Sequence, residues 1–434
     1  MSEPNSGKAW IIPAIGALFL AFAGGLGLGV TGKPPAGLLK NAISGASEVY
    51  SYSRDALLAR PSQHIVDRPR DGFHDGAGVT LSLPDEMQPG VTFVAGLFGQ
   101  VLGFRLYAAD GTLLKEWPTD FFKIAPDEMK HRYHALIHGD FLFPNGDVLA
   151  NLDGRGLVRF DACGEIRWRN HDRSHHAIFV DDKGDIWTPI GADPVRELRI
   201  APMPFAFDHL ARFDPDTGAK LEEINLLDAL LKGPGPGLVQ ADFAHLDDVL
   251  HINDVEVLSD ALAPAFPMFK AGDVLVSSRN LSQLWVIDRE SHAVKWWFAG
   301  PLRSQHDADF RPDGTISALD NRPAGVARAS NNHLGGLGGS RILLIDPASG
   351  ASRVAYQSDA RNIFYTPFRG KQELEPNGNL LITETDGGRV FEVTPDGKPV
   401  WQFVNEWDPE RLGWVMGAGR YPPDYAKIAE ISCD

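Results

Sequence analysis

Cysteine is nearly absent from this chain: Cys163 and Cys433 are the only two in 434 residues. Two thiols form neither a disulfide framework nor the clustered spacing of a metal site. Cys163 lies in a strand–turn pattern, Phe160-Asp161-Ala162-Cys163-Gly164-Glu165, and reads as inert. A single bridge to Cys433 stays open, so cysteine usage leaves the redox compartment undecided. A basic surplus is missing too. Lys and Arg number 41 against 57 Asp and Glu, a net charge of −16. That excludes nucleic acid as the expected partner, because phosphate binding needs a basic face. No glycine-rich phosphate loop is present, so no nucleotide cofactor is expected.

One stretch lacks charge altogether. Ala9 to Val30 is an uncharged, mostly apolar run between Lys8 and Lys33, long enough to span a bilayer. The small-residue cleavage site of a secretory signal is not evident. Residues 1–31 are therefore expected to be an uncleaved N-terminal transmembrane helix, with a cleaved signal as the alternative. The flanking positive charges balance, so they do not set an orientation. Gly25 and Gly29 make a small-xxx-small pair through which two copies could associate as a homodimer. Residues 32–71 read as a connector with a short helix within Leu38 to Leu58, ended by Arg60-Pro61 and Arg68-Pro69-Arg70.

What the chain does have is turn formers and aromatics: Gly 45, Pro 31, Phe 24 and Trp 10. From about Gly72 the pattern is strand, turn, strand, and it continues to about residue 404. The units are alike. Each holds an apolar strand, a turn such as Pro144-Asn145-Gly146, Pro312-Asp313-Gly314 or Pro376-Asn377-Gly378, and an aromatic close such as Trp117, Trp168, Trp296-Trp297 or Trp401. Four strands per unit, with six units in a row, point to an all-β fold, a six-bladed β-propeller over 72–404. A lone blade cannot bury both faces, whereas blades in a ring bury each on the next. Inserts at 191–207, 228–248, 258–270 and 322–340 are expected as rim loops. Residues 405–434 are expected as a C-terminal strap across the surface.

Three histidines share one register. His138, His176 and His306 each stand seven residues before a residue of the following turn, Asn145, Lys183 and Asp313. His251 opens the fourth unit in His251-Ile252-Asn253-Asp254, where the insert hides the spacing. Repeats stacked about an axis would bring such side chains to one depth of a central channel. Arg279 ends the next strand in Ser277-Ser278-Arg279-Asn280, and a guanidinium among imidazoles speaks for an anionic substrate and against a metal. His175 is left undecided between a structural and a site role. The other histidines, His64 and His74 among them, read as loop or surface residues.

Gln305-His306 with Gly314-Thr315-Ile316 and Leu319-Asp320-Asn321 resembles the core motif of the bacterial arylsulfotransferases that work without a nucleotide sulfate donor. His251-Ile252-Asn253-Asp254, Ser277-Ser278-Arg279-Asn280 and Lys295-Trp296-Trp297 resemble that family's preceding blade. The likeness runs from about 170 to 404. It implies a six-bladed propeller outside the cytoplasm, a membrane-anchored periplasmic location, and transfer of a sulfuryl group from a phenolic sulfate to a phenol with no metal or other cofactor. By the same resemblance His306 would be the nucleophile, Arg279 the sulfate-binding arginine, and His251 and His176 accessory catalytic residues. Asn253, Asn280, His138 and Asn321, beside them, are expected to contact substrate. Departures are an insert between His251 and Arg279, a short link from Arg279 to His306, and Gln372 where the last blade would place a channel-facing polar residue. Two other readings compete: a metal-dependent hydrolase or lactonase using Asn253, Asp254, Asp307 and Asp320, and a non-enzymatic membrane-tethered binding propeller.

Overall fold

The computed structural model describes residues 64–99, 101–119, 124, 137–239, 246–323 and 337–433. The expected anchor at Ala9–Val30 and the helix within 38–58 lie outside these residues. Among the described residues no helix is long and apolar enough to cross a membrane.

The described chain is all-β. Six antiparallel sheets of four or five strands follow one another, and a separate three-stranded sheet joins Ile65–Asp67, Arg411–Gly413 and Glu406–Asp408. The first strands of the second, third, fourth, fifth and sixth sheets are Ile137–Leu142, Phe179–Val180, Ile252–Val257, His306–Phe310 and Lys371–Leu374. Successive first strands meet: Ile252–Val257 touches His306–Phe310, which touches Lys371–Leu374. The first sheet's leading strand, Val415–Tyr421, contacts both Lys371–Leu374 and Ile137–Leu142, which sets that sheet between the sixth and the second.

Local sequence explains the hairpins. The turn glycines Gly146, Gly314 and Gly378 all have positive φ, at 84°, 79° and 90°, a region that costs other residues but not glycine. Central strands such as Val91–Phe98 and Val274–Ser278 are buried on both faces, so they read as apolar runs rather than alternations. The core is split into clusters, each shared by two neighbouring sheets. Phe266, Trp296 and Phe310 join the fourth to the fifth, and Phe364, Ile342 and Phe391 the fifth to the sixth. This is how sheets with two apolar faces leave neither exposed.

Several expectations are corrected. The C-terminal segment is not a surface strap: Val415–Tyr421 is the leading strand of the first sheet, paired with Val91–Phe98. Its Met416-Gly417-Ala418-Gly419 run reads as loop, yet the glycine is a packing requirement. A Cβ on Gly417 would lie 2.5 Å from the Asp140 carboxylate. The bridge that the sequence left open is formed: Cys163 and Cys433 make a disulfide, which ties residue 433 to the second sheet. Gly78–Ser82 adds a fifth strand to the sixth sheet. The insert expected at 228–248 overlaps helix α1, Leu226–Lys232, whose first turn is capped by the Asn225 side chain. Within the insert expected at 191–207, an isolated antiparallel bridge joins Val195 and Phe205.

His64 and His74 are buried rather than on the surface. His74 lies between Asp71, 2.9 Å away, and Glu384, 3.2 Å away, and Arg389 pairs with Glu384 at 2.6 Å. An Asp71–His74 pair three residues apart, completed by Glu384 from a distant strand, leaves no trace in local sequence.

Candidate active site

Bulges aim the first residues of the leading strands. Ile252–Val257 is bulged at Asn253, His306–Phe310 at Asp307, and Ile137–Leu142 at His138. A bulge adds an unpaired residue and re-aims its side chain. His138, His176 and His306 each stand four residues before the pair that closes the strand at Leu142, Val180 and Phe310. In the fourth sheet that register belongs to Asn253, four before Val257. His251 reaches the same place from two residues earlier, on backbone with φ +50°. His176 and Asp307 are left-handed as well, at 57° and 51°. Such conformations cost about 1–3 kcal/mol each in residues with a Cβ and persist where the surroundings impose them.

The structure brings His138, His176, His251, His306 and Arg279 together. The His138 and His176 rings lie 4.4 Å apart, and the His176 and His251 rings 4.5 Å. A cavity is lined by His138, His176, Asn253, His306, Arg369 and Lys371.

His306 is buried, and its Nδ1 is 2.7 Å from Asn321 Oδ1 and 3.2 Å from the Ser304 carbonyl. The amide orientation of Asn321 is settled by its own Nδ2, which donates to the carbonyls of Thr366 and Arg369 at 2.6 Å each. Two acceptors at Nδ1 mean that Nδ1 carries the proton and Nε2 keeps its lone pair. Burial pushes the His306 pKa well below the usual imidazole value, and Arg279, His251 and Arg369 add to the effect against the opposing Asn321 bond. Asn321, expected to contact substrate, spends its whole amide on these protein partners.

Arg279 follows the strand Val274–Ser278, with its backbone N–H on the His251 carbonyl at 3.2 Å. Its Nη1 donates to Asn280 Oδ1 at 3.0 Å, and Asn280 Nδ2 donates to the Asp248 carbonyl at 2.7 Å. Asn280 thus orients the guanidinium. Asn253 Nδ2 donates to the Gln305 carbonyl at 2.7 Å, while its buried Oδ1 receives no hydrogen bond from any described residue.

Sequence reasoning missed the partners. Asp153 lies 3.3 Å from His138, Asp208 lies 3.3 Å from His175, and Asp248 bonds His251 Nδ1. Burial alone would raise the Asp153 carboxyl. The imidazoles of His138, His175 and His251 outweigh it and hold Asp153 well below the usual carboxylate range. Asn151 was missed as well; its Nδ2 holds the His176 carbonyl at 3.1 Å. Arg369, a second guanidinium, donates to His138 Nε2 at 3.4 Å. Its signal was its place in Phe368-Arg369-Gly370-Lys371, just ahead of the sixth sheet's leading strand.

Beneath the imidazoles lie carboxylates. Burial, with Asp307 nearby, raises Asp254 to about 7, and burial raises Asp307 to about 6 against the pull of Lys371. Asp254 accepts the Ala308 N–H at 2.8 Å and Asp307 the Gln372 N–H at 2.5 Å. Asp320 is taken by the Arg303 N–H at 2.7 Å and by Arg341 Nε at 2.8 Å. Gln372 does not face the channel: its Nε2 donates to Ser317 Oγ at 2.8 Å between strands, and the adjacent Lys371 lines the cavity instead.

The family model described as Arylsulfotransferase (ASST) matches residues 140–406. No curated protein matches the sequence. Among solved structures, a protein of unknown function from Bacteroides caccae is similar, with a TM-score of 0.50 and 12% identity over 76% of this chain and 98% of that one. Virginiamycin B lyase from Staphylococcus aureus scores 0.36 at 11% identity over 63% and 71% of the two chains. The WD40 β-propeller domain of Doa1 scores 0.42 at 11% identity over 76% and 86%. At these identities the likeness concerns the fold alone.

Proposed function

The chain belongs to the arylsulfotransferase family, and from that premise we propose that it moves a sulfuryl group from a phenolic sulfate ester to a phenolic acceptor through a sulfohistidine at His306, on a six-bladed β-propeller. The observation that carries this reading is the buried His306 imidazole. Asn321 holds the proton on Nδ1, so Nε2 presents a lone pair beside two guanidiniums.

In the first half, Nε2 attacks sulfur, an N–S bond forms, and the bond from sulfur to the aryl oxygen breaks. Negative charge on the equatorial sulfuryl oxygens is met by Arg279, and Arg369 lies close enough to share that work. The leaving phenolate takes a proton from a neighbouring imidazole, His176 or His251. In the second half the acceptor phenol returns that proton as its oxygen attacks sulfur and the N–S bond breaks. Arg279 is the anion binder in this scheme, Asn280 its support, and Asn253 Oδ1 and His138 line the space where the phenols sit.

The metal-hydrolase reading draws less support. Asp254, Asp307 and Asp320 each accept a backbone N–H, and the Lys371 ammonium interacts with Asp140, Asp307 and Asp254 where a cation would be wanted. The Cys163–Cys433 disulfide suits an oxidising compartment. It supports an extracytoplasmic location, anchored through Ala9–Val30, with pairing of two copies through Gly25 and Gly29 as part of the same reading. Protease added to intact spheroplasts digests residues 64–433 if this is right, and full protection refutes it.

The decisive experiment is incubation with 4-nitrophenyl sulfate and a phenol, without nucleotide. Nitrophenol release that needs the phenol is the expected result, and release with water alone would indicate a sulfatase. His306→Asn should keep the melting temperature, lose turnover about a thousandfold or more, and take up no sulfuryl adduct. An adduct on another residue would remove His306 from the role.

A further inference from the structure

His175 stands beside His176 in sequence and behind it in space. Its backbone N–H is fixed on the Pro189 carbonyl at 3.1 Å. Its Nε2 lies 3.3 Å from Asp208 Oδ1. Asp208 is itself held, because Oδ2 accepts the Ile252 N–H at 2.8 Å. On the other side of the ring, His175 Nδ1 is 3.0 Å from His176 Nδ1.

Two imidazole nitrogens at that separation need one proton between them. The carboxylate requires an N–H at His175 Nε2. Two arrangements satisfy both demands. In one, His175 is a cation that donates from Nδ1, and His176 accepts at Nδ1 and carries its own proton on Nε2. In the other, the shared proton belongs to His176 Nδ1, and His176 Nε2 is a bare lone pair. They differ by the proton on His176 Nε2, whose loss is coupled to the shift of the shared proton along one hydrogen bond, so His176 Nε2 is an acid in the first and a base in the second.

We propose that Asp208, His175 and His176 form a proton relay in which His175 is the positioning residue that stores the proton His176 exchanges with the phenols. This rests on the reading of His306 as the sulfuryl acceptor. As the S–O bond breaks, the phenolate oxygen takes the Nε2 proton of His176, and the His175 Nδ1 proton passes to His176 Nδ1. When the acceptor attacks, its hydroxyl proton goes to His176 Nε2 and the Nδ1 proton returns to His175. Every proton is accounted for, and neither water nor a metal takes part.

The surroundings favour a stored proton on His175. Burial works against its charge, but Asp208, Asp153 and Asp248 outweigh burial and hold its pKa above the usual imidazole value. Burial holds His176 well below that value, with His138, His251, His175 and His306 adding to it. The cluster has one other physical reading. Donor atoms of His138, Asp153 and His176 lie within 4.8 Å of one another, which is metal-ligand spacing. Arg369 argues against it. Its donation to His138 Nε2 at 3.4 Å leaves the His138 proton on Nδ1, the nitrogen that faces Asp153.

The test compares two donors of different leaving ability, 4-nitrophenyl sulfate and 4-methylphenyl sulfate, in the full chain and in His175→Gln and Asp208→Asn. A good leaving group needs little protonation and a poor one needs much. Formation of the sulfuryl enzyme from the methylphenyl ester should fall about a hundredfold in His175→Gln. With the nitrophenyl ester it should fall less than about threefold. Asp208→Asn, which keeps an oxygen for the Ile252 N–H, should show the same selectivity to a smaller degree and decides the matter if His175→Gln does not fold. Equal losses with both esters would reduce His175 to a structural role and overturn the relay. So would a stoichiometric divalent metal in the purified chain that is lost in His138→Ala together with activity. Failure of the underlying reading looks different, since wild-type protein would then transfer from neither ester and form no adduct on His306, and the relay would fall with it.

Discussion

Asn321 decides what His306 can do. A neutral amide beside Nδ1 fixes the tautomer and favours the cation too little to offset burial, so the buried ring stays neutral. Asn321→Asp tests this. A carboxylate there favours the imidazolium and raises the His306 pKa from its depressed setting. A protonated Nε2 has no lone pair. Turnover at pH 7 should fall about tenfold and recover as the pH is raised through the new pKa, while the wild type shows no such rise. An unchanged pH profile would show that Asn321 does not govern the ring. Arg369→Lys keeps the charge and loses the two-pronged donor. It should lower kcat/KM for sulfate esters by about tenfold or more, and wild-type values would remove Arg369 from the anion site. His138, His176 and His306 were legible because they recur at a fixed distance from turns, and His251 and Arg279 because of the strand starts and ends that carry the family resemblance. Asn321 was legible as a site residue but not as the partner of His306, and Asp153 and Asp208 were not legible at all, because an Asn or Asp at the end of a strand or in a turn has an ordinary local explanation. Their roles come from side chains distant in sequence, His306, His138 and His175.

At the level of strands, glycine and bulges set the geometry that the side chains exploit. Gly139 follows the bulged His138 and backs directly onto the His176–Ile178 segment. A Cβ there would lie 2.5 Å from the His176 carbonyl and 2.7 Å from the Ile178 N–H nitrogen. Gly139→Ala should therefore destabilise the fold by about 1–3 kcal/mol. It should also displace His176, so that turnover falls further than the loss of folded protein accounts for. Normal melting and normal turnover together would show that the contact relaxes freely. The four-strand repeat and its turns were legible from composition and spacing. The bulges were not, since a one-residue insertion in a short strand leaves no periodic signal. That is why His251 looked equivalent to His306, although Asn253 holds the matching place in the fourth sheet.

On the scale of the whole molecule, the first sheet depends on strands from both ends of the described chain. The pattern that reads as ending near residue 404 hides the last strand, because Val415–Tyr421 is rich in small residues and carries no turn signal of its own. Without that strand, Val91–Phe98 would be an open edge with apolar faces and unpaired backbone groups. A chain ending at Val404 should therefore be recovered aggregated or unfolded. A soluble, cooperatively melting product would restore the surface-strap reading. The Cys163–Cys433 disulfide fastens this closure across a sequence separation of 270 residues. A cross-link over so long a loop removes much of the unfolded chain's freedom, worth about 5 kcal/mol on the chain-entropy account. Cys433→Ser should then melt several degrees below the wild type while keeping its turnover, since the cysteines lie outside the imidazole cluster. A reducing agent should lower the wild-type melting temperature to that of Cys433→Ser and leave the variant unaffected. If reduction shifts both equally, or shifts neither, the bridge does not secure the C-terminal strand.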